Sequence, residues 1–321
     1  MVNKTRSAPV AHKSDPREAG PRRRSSFSMG GGLRRGQWQL TWLALVPAIL
    51  FYLVFRYYPV VQTLVLSLTN AQLLRPASDF VGLDNFVTLF ADSLFRKIIW
   101  NTSYYALATT AVTTVLALIL ALIMEPIQRL GGALRLIYYL PTITSLIAIA
   151  TMWSWLYQPR FGLFNQVLGA LGIPPINWLT SVEWAMPSII FMSIWGGVGF
   201  SSVIFVAGLR GLPGEYTDAA VVDGASSLQI AWFVKLPLLS RVISFVVITG
   251  SIGSFQVFQQ VYLLTRGGPL DATRVMALHI FEYAFRRLQV GEAAAMSTVL
   301  FAIVGILTIL QLRLQRNDWA H

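Results

Sequence analysis

The stretch "DAAVVDGASSLQIAWFVKLP", Asp218–Pro237, carries two acids and a cluster of very small residues. Long runs without Asp, Glu, Lys or Arg lie before and after it, at Trp184–Leu209 and Val242–Thr265. Each run can cross a bilayer as a helix, because about 20 apolar residues span the ~30 Å hydrocarbon core. The polar stretch therefore predicts a loop at the membrane surface between two spans, and this arrangement decides the fold class.

The composition is that of a membrane protein. Of the 321 residues, 55% are hydrophobic and 12% are charged, and the mean hydropathy is +0.59. A soluble domain has about 25% charged residues. Four more uncharged runs are long enough to span a bilayer, namely Gly36–Phe55, Tyr104–Met124, Leu136–Pro159 and Ala293–Leu312. We therefore predict an all-α polytopic membrane protein with six transmembrane helices.

Two further uncharged runs are not counted as spans. Tyr57–Leu74 contains Pro59 and several amide side chains, and it reads best as an outward continuation of the first span. Phe161–Val182 contains too many Gly and Pro residues for a helix that faces lipid, so we predict a loop with a short surface helix. A seventh span is the main alternative to the count of six.

Basic residues concentrate at the N-terminus, where residues 1–36 are predicted to be a disordered tail. Cytoplasmic segments carry an excess of Lys and Arg, so we predict that both termini are cytoplasmic. Much of the net charge of +11 then comes from a basic tail that lies beside anionic membrane lipid. We therefore predict no nucleic-acid partner. The predicted divisions are this tail, a six-span domain at 37–316 that includes a cytoplasmic loop at 212–237, and a C-terminal tail at 317–321.

The sequence offers no energy source of its own. No acid lies within the six runs, although secondary transporters commonly use ionisable groups inside their spans. The chain also lacks the G-x-x-x-x-G-K-[S/T] loop that cradles ATP phosphates. Neither G-x-S-x-G nor H-E-x-x-H occurs, cysteine is absent, and His279 is predicted to be a polar residue of an outer loop. We predict no enzyme, although a self-contained secondary transporter or channel and a membrane-embedded hydrolase remain as alternatives.

The loop itself has the signals of two short helices. Pro213 lies near a helix start, and Gly224 permits a sharp change of direction. Ser226 or Ser227 can cap the second helix, and Pro237 is expected to end it and begin the next span. An ordinary amphipathic loop at the membrane interface would share these features.

The spacing Asp218-Ala-Ala, Gly224 and Val234-x-Leu236-Pro237 resembles the E-A-A…G…I-x-L-P loop of the membrane subunits of ABC-type importers, with Asp218 where Glu is usual. "FVGLDNFVTLF" (Phe80–Phe90) and "YYLPTITSLIAIATMWSWLYQPRFGLFNQVL" (138–168) resemble segments of sugar permeases. "FQVFQQVYLLTRGGPLDAT" (Phe255–Thr273) is similar to the exit of the fifth span in the maltose-type first permease.

The resemblance implies a type I ABC importer permease fold in a bacterial cytoplasmic membrane. It also implies four partners: a second permease subunit in a heterodimer, two copies of an ATPase subunit that bind ATP and Mg²⁺, and an extracytoplasmic solute-binding protein. No cofactor is expected in this chain. The residues implied to couple to the ATPase are Asp218, Ala219, Ala220, Asp223, Gly224, Leu236 and Pro237.

A sugar or related polyol or oligosaccharide is the solute that the resemblance implies. The candidates for its pathway are Trp195, Gly196, Gly197, Phe200, Ser254, Gln256 and Gln259. The glycines could instead serve close helix packing, and the glutamines could bond between helices. Trp153, Trp155 and Tyr157 are predicted to form an interfacial aromatic belt. A glycerophosphodiester or glycerol 3-phosphate remains an alternative solute.

Overall fold

The computed structural model describes residues 35–75, 78–127 and 131–316. Residues 1–34 of the predicted N-terminal tail and all of the predicted C-terminal tail lie outside that range. The described part is helical and forms no β-strand, only isolated bridges such as Thr69–Phe80. The α-helices are α1 (Arg35–Tyr52), α2 (Tyr58–Leu66), α3 (Asp84–Ala91), α4 (Ser93–Met124), α5 (Gly131–Ile143), α6 (Leu146–Leu156), α7 (Leu163–Ala170), α8 (Ala185–Arg210), α9 (Gly214–Val222), α10 (Ser227–Ile230), α11 (Leu236–Leu238), α12 (Ser240–Phe255), α13 (Gln259–Leu264), α14 (Met276–Phe281) and α15 (Val290–Arg316). Three π-helical turns join neighbouring helices, at Leu53–Tyr57, Ala231–Lys235 and Glu282–Arg286.

Four helical stretches are long and apolar enough to cross a membrane: Trp42–Leu66, Ser93–Met124, Ala185–Arg210 and Val290–Leu314. Two further apolar helix pairs are sharply bent. The pair α5 and α6 turns by 105°, and the pair Ser227–Leu238 and Ser240–Phe255 turns by 69°. The chain is therefore a multi-pass membrane protein with four to six apolar helical crossings.

The two runs that were not counted as spans behave as predicted. The first apolar helical stretch continues through the start of the Tyr57–Leu74 run and ends at Leu66. The run from Phe161 to Val182 contains one short helix, α7, and otherwise consists of turns and irregular backbone.

Small residues bring α4, α5, α8 and α12 together. Ala117 and Ala121 of α4 are completely buried beside Phe205 of α8. At Gly199 of α8, a Cβ atom would lie only 2.1 Å from the carbonyl oxygen of Tyr138 in α5. Such close approach is typical of membrane helices, whose association depends on packing rather than on the hydrophobic effect. Gly199 is thus a close-packing glycine of α8, a role that the sequence suggested for its neighbours Gly196 and Gly197.

The predicted interfacial belt is wrong for two of its three residues. Trp153 and Tyr157 are 3% and 2% exposed, and both pack with Phe164 of α7, whereas Trp155 is exposed. The Tyr157 hydroxyl donates a hydrogen bond of 2.8 Å to the carbonyl oxygen of Ser188. The reason is that α7 folds back over α6, so this face of α6 belongs to an aromatic core rather than to a membrane boundary.

The region between α13 and α15 is a polar, cross-linked cap. Arg274 forms ion pairs with Asp271 and Glu282, and Asn101 of α4 donates to the carbonyl oxygens of Asp271 and Arg274. His279 is not a loop residue as predicted: it lies in α14 and is 1% exposed, and its ring packs on Tyr283. The helix that carries it is too short to give a periodic signal in the sequence.

Candidate functional site

The first half of the 212–237 loop is set by bonds between near neighbours. Pro213 precedes the first residue of α9, as predicted. At the other end, the amide of Ala225 donates to the carbonyl oxygen of Ala220, and that of Gly224 donates to Val221. These two bonds form a Schellman motif, which requires a left-handed residue after the helix, and Gly224 has a φ of +77°. The turn therefore depends on the one residue type that adopts this conformation without strain.

The second half begins with a capping box. The Ser226 hydroxyl accepts from the amide of Gln229, whose side-chain oxygen accepts from the amide of Ser226. Helical backbone then continues through the π turn to Leu238, so Pro237 does not end the helix as predicted; the bend follows at Leu239. A proline inside an α-helix has no amide hydrogen for the bond to the carbonyl four residues earlier, and its ring clashes with that carbonyl. The wider π turn directly before Pro237 relieves this clash.

Two contacts attach this half of the loop to the long helices. Leu239 at the bend is buried in a cluster with residues of α4 and α8. The Lys235 ammonium donates a hydrogen bond of 2.8 Å to the Glu125 carboxylate at the end of α4, and both side chains are mostly buried. The loop is thus joined covalently to α8 and α12, and by an ion pair to α4.

The outer surface of the loop is exposed, apolar and acidic. Asp218, Ala219, Asp223, Gly224 and Pro237 are exposed, and Ala220 and Leu236 are half-buried. Large apolar side chains are also exposed there, namely Tyr216, Val221, Val222, Leu228, Trp232 and Phe233. Within the described residues neither Asp218 nor Asp223 forms an ion pair, so both carboxylates are free to meet a cation from another protein.

A second feature is a cavity of about 380 Å³ between α4, α5, α8 and α12, here called the central cavity. Ten of its lining residues carry hydroxyl groups: Tyr105, Thr109, Thr110, Thr113, Thr114, Thr142, Ser193, Ser201, Thr249 and Ser254. The others are Gly196, Gly197, Phe200, Ile204, Val246, Gly250, Gly253, Val257 and Gln260. None of them is Asp, Glu, Lys, Arg or His, so the cavity offers hydroxyl groups among apolar surface and no charged side chain.

Hydrogen bonds join some of these hydroxyls across the helices. Tyr105 of α4 donates to Ser193 of α8 at 2.7 Å, and Thr110 of α4 donates to Ser254 of α12 at 3.3 Å. Glycines of the partner helices face these threonines, since a Cβ on Gly197 would lie in van der Waals contact, 3.4 Å from the methyl group of Thr113. The α4 side of the cavity is therefore packed closely against both partner helices.

Four of the seven sequence candidates for the solute pathway line this cavity: Gly196, Gly197, Phe200 and Ser254. Trp195 lies outside it and packs edge-on against Trp153. Gln256 and Gln259 are exposed and do not line it, whereas Gln260 does. The helix break between Phe255 and Gln259 causes this difference, because it changes which glutamine points toward the cavity.

None of the sequence candidates lies on α4, which forms one wall of the cavity. Its threonines occur in two adjacent pairs, Thr109–Thr110 and Thr113–Thr114, one helical turn apart. Within an otherwise apolar span this repeat is a signal of a polar stripe, and it could have been read from the sequence.

Comparison with known proteins agrees with the geometry. A family model described as a binding-protein-dependent transport system inner membrane component matches residues 113–317. The chain is 32% identical to the multiple sugar-binding transport system permease protein of Streptococcus mutans, over 86% of this chain and 95% of that one. It is also 32% identical to the trehalose/maltose transport system permease protein of Thermococcus litoralis, over 87% and 94%.

Solved structures show the same fold. A chain from the crystal structure of a bacterial alginate ABC transporter, in complex with alginate pentasaccharide-bound periplasmic protein, superposes with a TM-score of 0.78. The alignment covers 88% of this chain and 96% of that one at 23% identity. The family match and the two relatives confirm the family resemblance: the chain belongs to the permease family of ABC-type importers, the inner membrane components of binding-protein-dependent transport systems.

Proposed function

We propose that this chain is the permease subunit of an ATP-driven importer for a neutral sugar or a related polyol or oligosaccharide, and that it forms half of the translocation pathway. Relatives at 32% identity carry names of sugar transport systems. A permease subunit of this class works with a second permease in a heterodimer and with an extracytoplasmic solute-binding protein. Two ATPase subunits bind ATP and Mg²⁺, so the proposed chain is not itself an enzyme.

The observation that carries the solute class is the lining of the central cavity. Ligand sites for neutral sugars combine hydroxyl and amide groups with an aromatic face, and Phe200 supplies such a face here. A glycerophosphodiester or glycerol 3-phosphate carries negative charge, which proteins bind with Arg, Lys or helix N-termini. No Arg or Lys lines the cavity, and therefore we favour the neutral solute.

The proposed topology has six spans, with each bent helix pair counted as one crossing. Both termini then lie in the cytoplasm of a bacterial cell, and the 212–237 loop lies on the same side. The excess of Lys and Arg in residues 1–36 supports this orientation. In this topology residues 1–36 and 317–321 are cytoplasmic tails that flank the six-span domain.

The proposed mechanism uses the 212–237 loop as the coupling helix. The ATPase dimer would contact the seven predicted coupling residues, among which Ala219, Ala220 and Gly224 have little or no side chain and allow a close approach. Its closure on ATP would move the loop, and two connections would carry that motion to the cavity: the bend at Leu239 into α12, and the Lys235–Glu125 ion pair to α4. Such coupling requires different contacts in the open and closed ATPase states.

The test is uptake by vesicles that contain the complete importer. Vesicles with both permeases, the ATPase, the binding protein and ATP are expected to concentrate a neutral sugar from a panel of disaccharides, and not glycerol 3-phosphate. Vesicles that lack the ATPase are expected to concentrate neither. Accumulation against a gradient without the ATPase would overturn the proposal in favour of a secondary transporter.

A further inference from the structure

A pocket of about 600 Å³, here called the α7 pocket, lies between the end of α6, α7 and the beginning of α8. It shares no lining residue with the central cavity. Half of its lining side chains are aromatic and most of the others are aliphatic: Tyr157, Leu163, Phe164, Val167, Leu168, Trp178, Trp184, Pro187, Ser188 and Phe191. The α7 pocket is therefore a separate and mainly apolar site.

The polar groups of this lining already bond within the protein. The Tyr157 hydroxyl donates to the carbonyl oxygen of Ser188 at 2.8 Å. The Ser188 hydroxyl donates to the carbonyl oxygen of Trp184 at 2.7 Å. The indole Nε1 of Trp178 donates to the side-chain oxygen of Asn165 at 2.9 Å. A polar ligand would lose its bonds to water and find none of these three donors free, so the α7 pocket favours a hydrocarbon ligand.

The wall of the α7 pocket continues onto a membrane-crossing helix. Pro187 and Phe191 belong to the first two turns of the stretch Ala185–Arg210. Phe191 is exposed, and so is Trp184, which directly precedes that stretch. Tryptophan is enriched where lipid head groups meet the hydrocarbon core. The hydrocarbon available at this depth is the acyl chain of a membrane lipid.

Two charged residues lie next to the lining in sequence and just outside the membrane-crossing stretch. Arg160 is three residues from both Tyr157 and Leu163, which is at most about 11 Å of chain. Glu183 directly precedes Trp184. Both side chains are exposed, and neither forms an ion pair within the part of the chain that the structure describes. Since arginine binds phosphate and a carboxylate binds ammonium, these charges match a zwitterionic head group.

We propose that the α7 pocket binds an acyl chain of a zwitterionic phospholipid and that Arg160 bonds to the phosphate of this lipid. In the proposed topology the lipid belongs to the outer leaflet. The bound chain fills the space between three helices and stabilises α7 in its position over α6 through van der Waals contacts. The inference goes beyond the importer function and does not depend on the solute, because the pocket is separate from the central cavity.

The test places the complete importer in vesicles that contain a small fraction of photoactivatable phosphatidylethanolamine, with a diazirine near the end of one acyl chain. After illumination, mass spectrometry locates the labelled peptides. We expect label on α7 and on the first two turns of α8, about fivefold above the label at Phe301. Phe301 is the reference because it is an exposed apolar residue of α15, another membrane-crossing helix.

Two matched pairs of variants test the chain and the head group separately. Val167→Trp fills the pocket and should lower the label on α8 about fivefold. Gly169→Trp adds the same ring on the opposite side of α7, where a Cβ meets no atom within 4 Å, and should leave that label unchanged. Arg160→Gln should lower the label about threefold because the bond to the phosphate is lost. Arg75→Gln, at another exposed arginine, should leave it unchanged.

Label in the α7 pocket no higher than at Phe301 would overturn the inference, because ordinary lipid contact would then account for it. Absence of label, as expected if the second permease subunit covers the pocket, would also overturn it. So would equal labelling of Val167→Trp and Gly169→Trp. Full labelling of Arg160→Gln would overturn the phosphate contact. Failure of sugar uptake in the same vesicles would overturn the proposed function and leave this inference standing.

Discussion

The 212–237 loop is shaped by bonds between residues close in sequence, whereas the central cavity is formed by helices that are far apart in the chain. The loop has a Schellman turn at Gly224 and a capping box at Ser226, each complete within six residues. The cavity joins Thr113 of α4 to Gly197 of α8, more than 80 residues later. Local bonding leaves a pattern in the sequence, and tertiary packing leaves far less.

This difference explains what the sequence could predict. The helix start at Pro213, the turn at Gly224 and the cap at Ser226 follow from local backbone chemistry, and the structure has all three. Apolar runs likewise predicted the long helices, since about 20 uncharged residues are needed for a crossing. Four of the predicted solute-pathway residues came from the resemblance, and they line the cavity because the fold is shared.

The failures have a common physical cause as well. Burial of Trp153 and Tyr157 depends on α7 folding back, and burial of His279 depends on a short helix. Neither the position of α7 nor the short helix α14 produces a hydrophobic periodicity in the sequence of the residues concerned. Gln260 lines the cavity in place of the predicted Gln259 because the helix breaks before it. Hydropathy does not locate a helix break to a single residue.

The largest expected effect on uptake concerns the 212–237 loop, whose shape depends on local bonds. Gly224 has open space around its Cβ position, so only its φ of +77° restricts substitution. Gly224→Val should destabilise the turn by about 1–2 kcal/mol, because valine is disfavoured in the left-handed conformation. We expect this variant to lose about 90% of uptake. Gly224→Asn, which tolerates the left-handed conformation, should retain most of it. Equal loss in both variants at normal expression would show that the surface, and not the backbone, is the sensitive feature.

The next effect concerns the tertiary side. Gly199→Ala places a methyl group 2.1 Å from the Tyr138 carbonyl oxygen, so α5 and α8 must move apart. We expect a loss of about 3 kcal/mol in stability, measured as a lower unfolding temperature of the purified permease pair. Gly196→Ala is the matched control on the same helix, since its Cβ would meet no atom within 4 Å. A smaller loss for Gly199→Ala than for Gly196→Ala would contradict the packing described here.

A third prediction uses pH to test the buried cap. Burial lowers the pKa of His279, the nearby Arg274 and Arg287 also lower it, and Asp92 and Asp271 oppose them; together these effects bring the pKa from its ordinary value to about 4. The folded protein holds the imidazole ring in its neutral form, so protonation favours the unfolded state. The free energy of unfolding should therefore fall as the pH drops from about 6.5 toward 4. The loss at pH 5 relative to pH 7 should be about 2 kcal/mol. His279→Gln, which cannot titrate, should reduce that acid sensitivity; an identical pH profile would contradict the burial of the ring.

The smallest effect concerns the contact that joins the two regions. Charge reversal at one end of the pair, Lys235→Glu or Glu125→Lys, should cost about 1 kcal/mol and lower uptake several-fold. The double reversal Lys235→Glu/Glu125→Lys should restore much of the loss, because the two ends interact directly at 2.8 Å. Additive losses in the double variant would show that the ion pair does not link the loop to α4.

The measurement that tests the account most directly follows the access of water to the central cavity. The chain contains no cysteine, so Gly253→Cys gives a single thiol on the cavity wall, where a Cβ meets no atom within 4 Å. In vesicles with the complete importer, a membrane-impermeant maleimide should label this thiol from one side without nucleotide. It should label from the other side when the ATPase is trapped with ATP. Labelling from the same side in both states, or a change of side in vesicles without the ATPase, would contradict the coupling of the loop to the cavity.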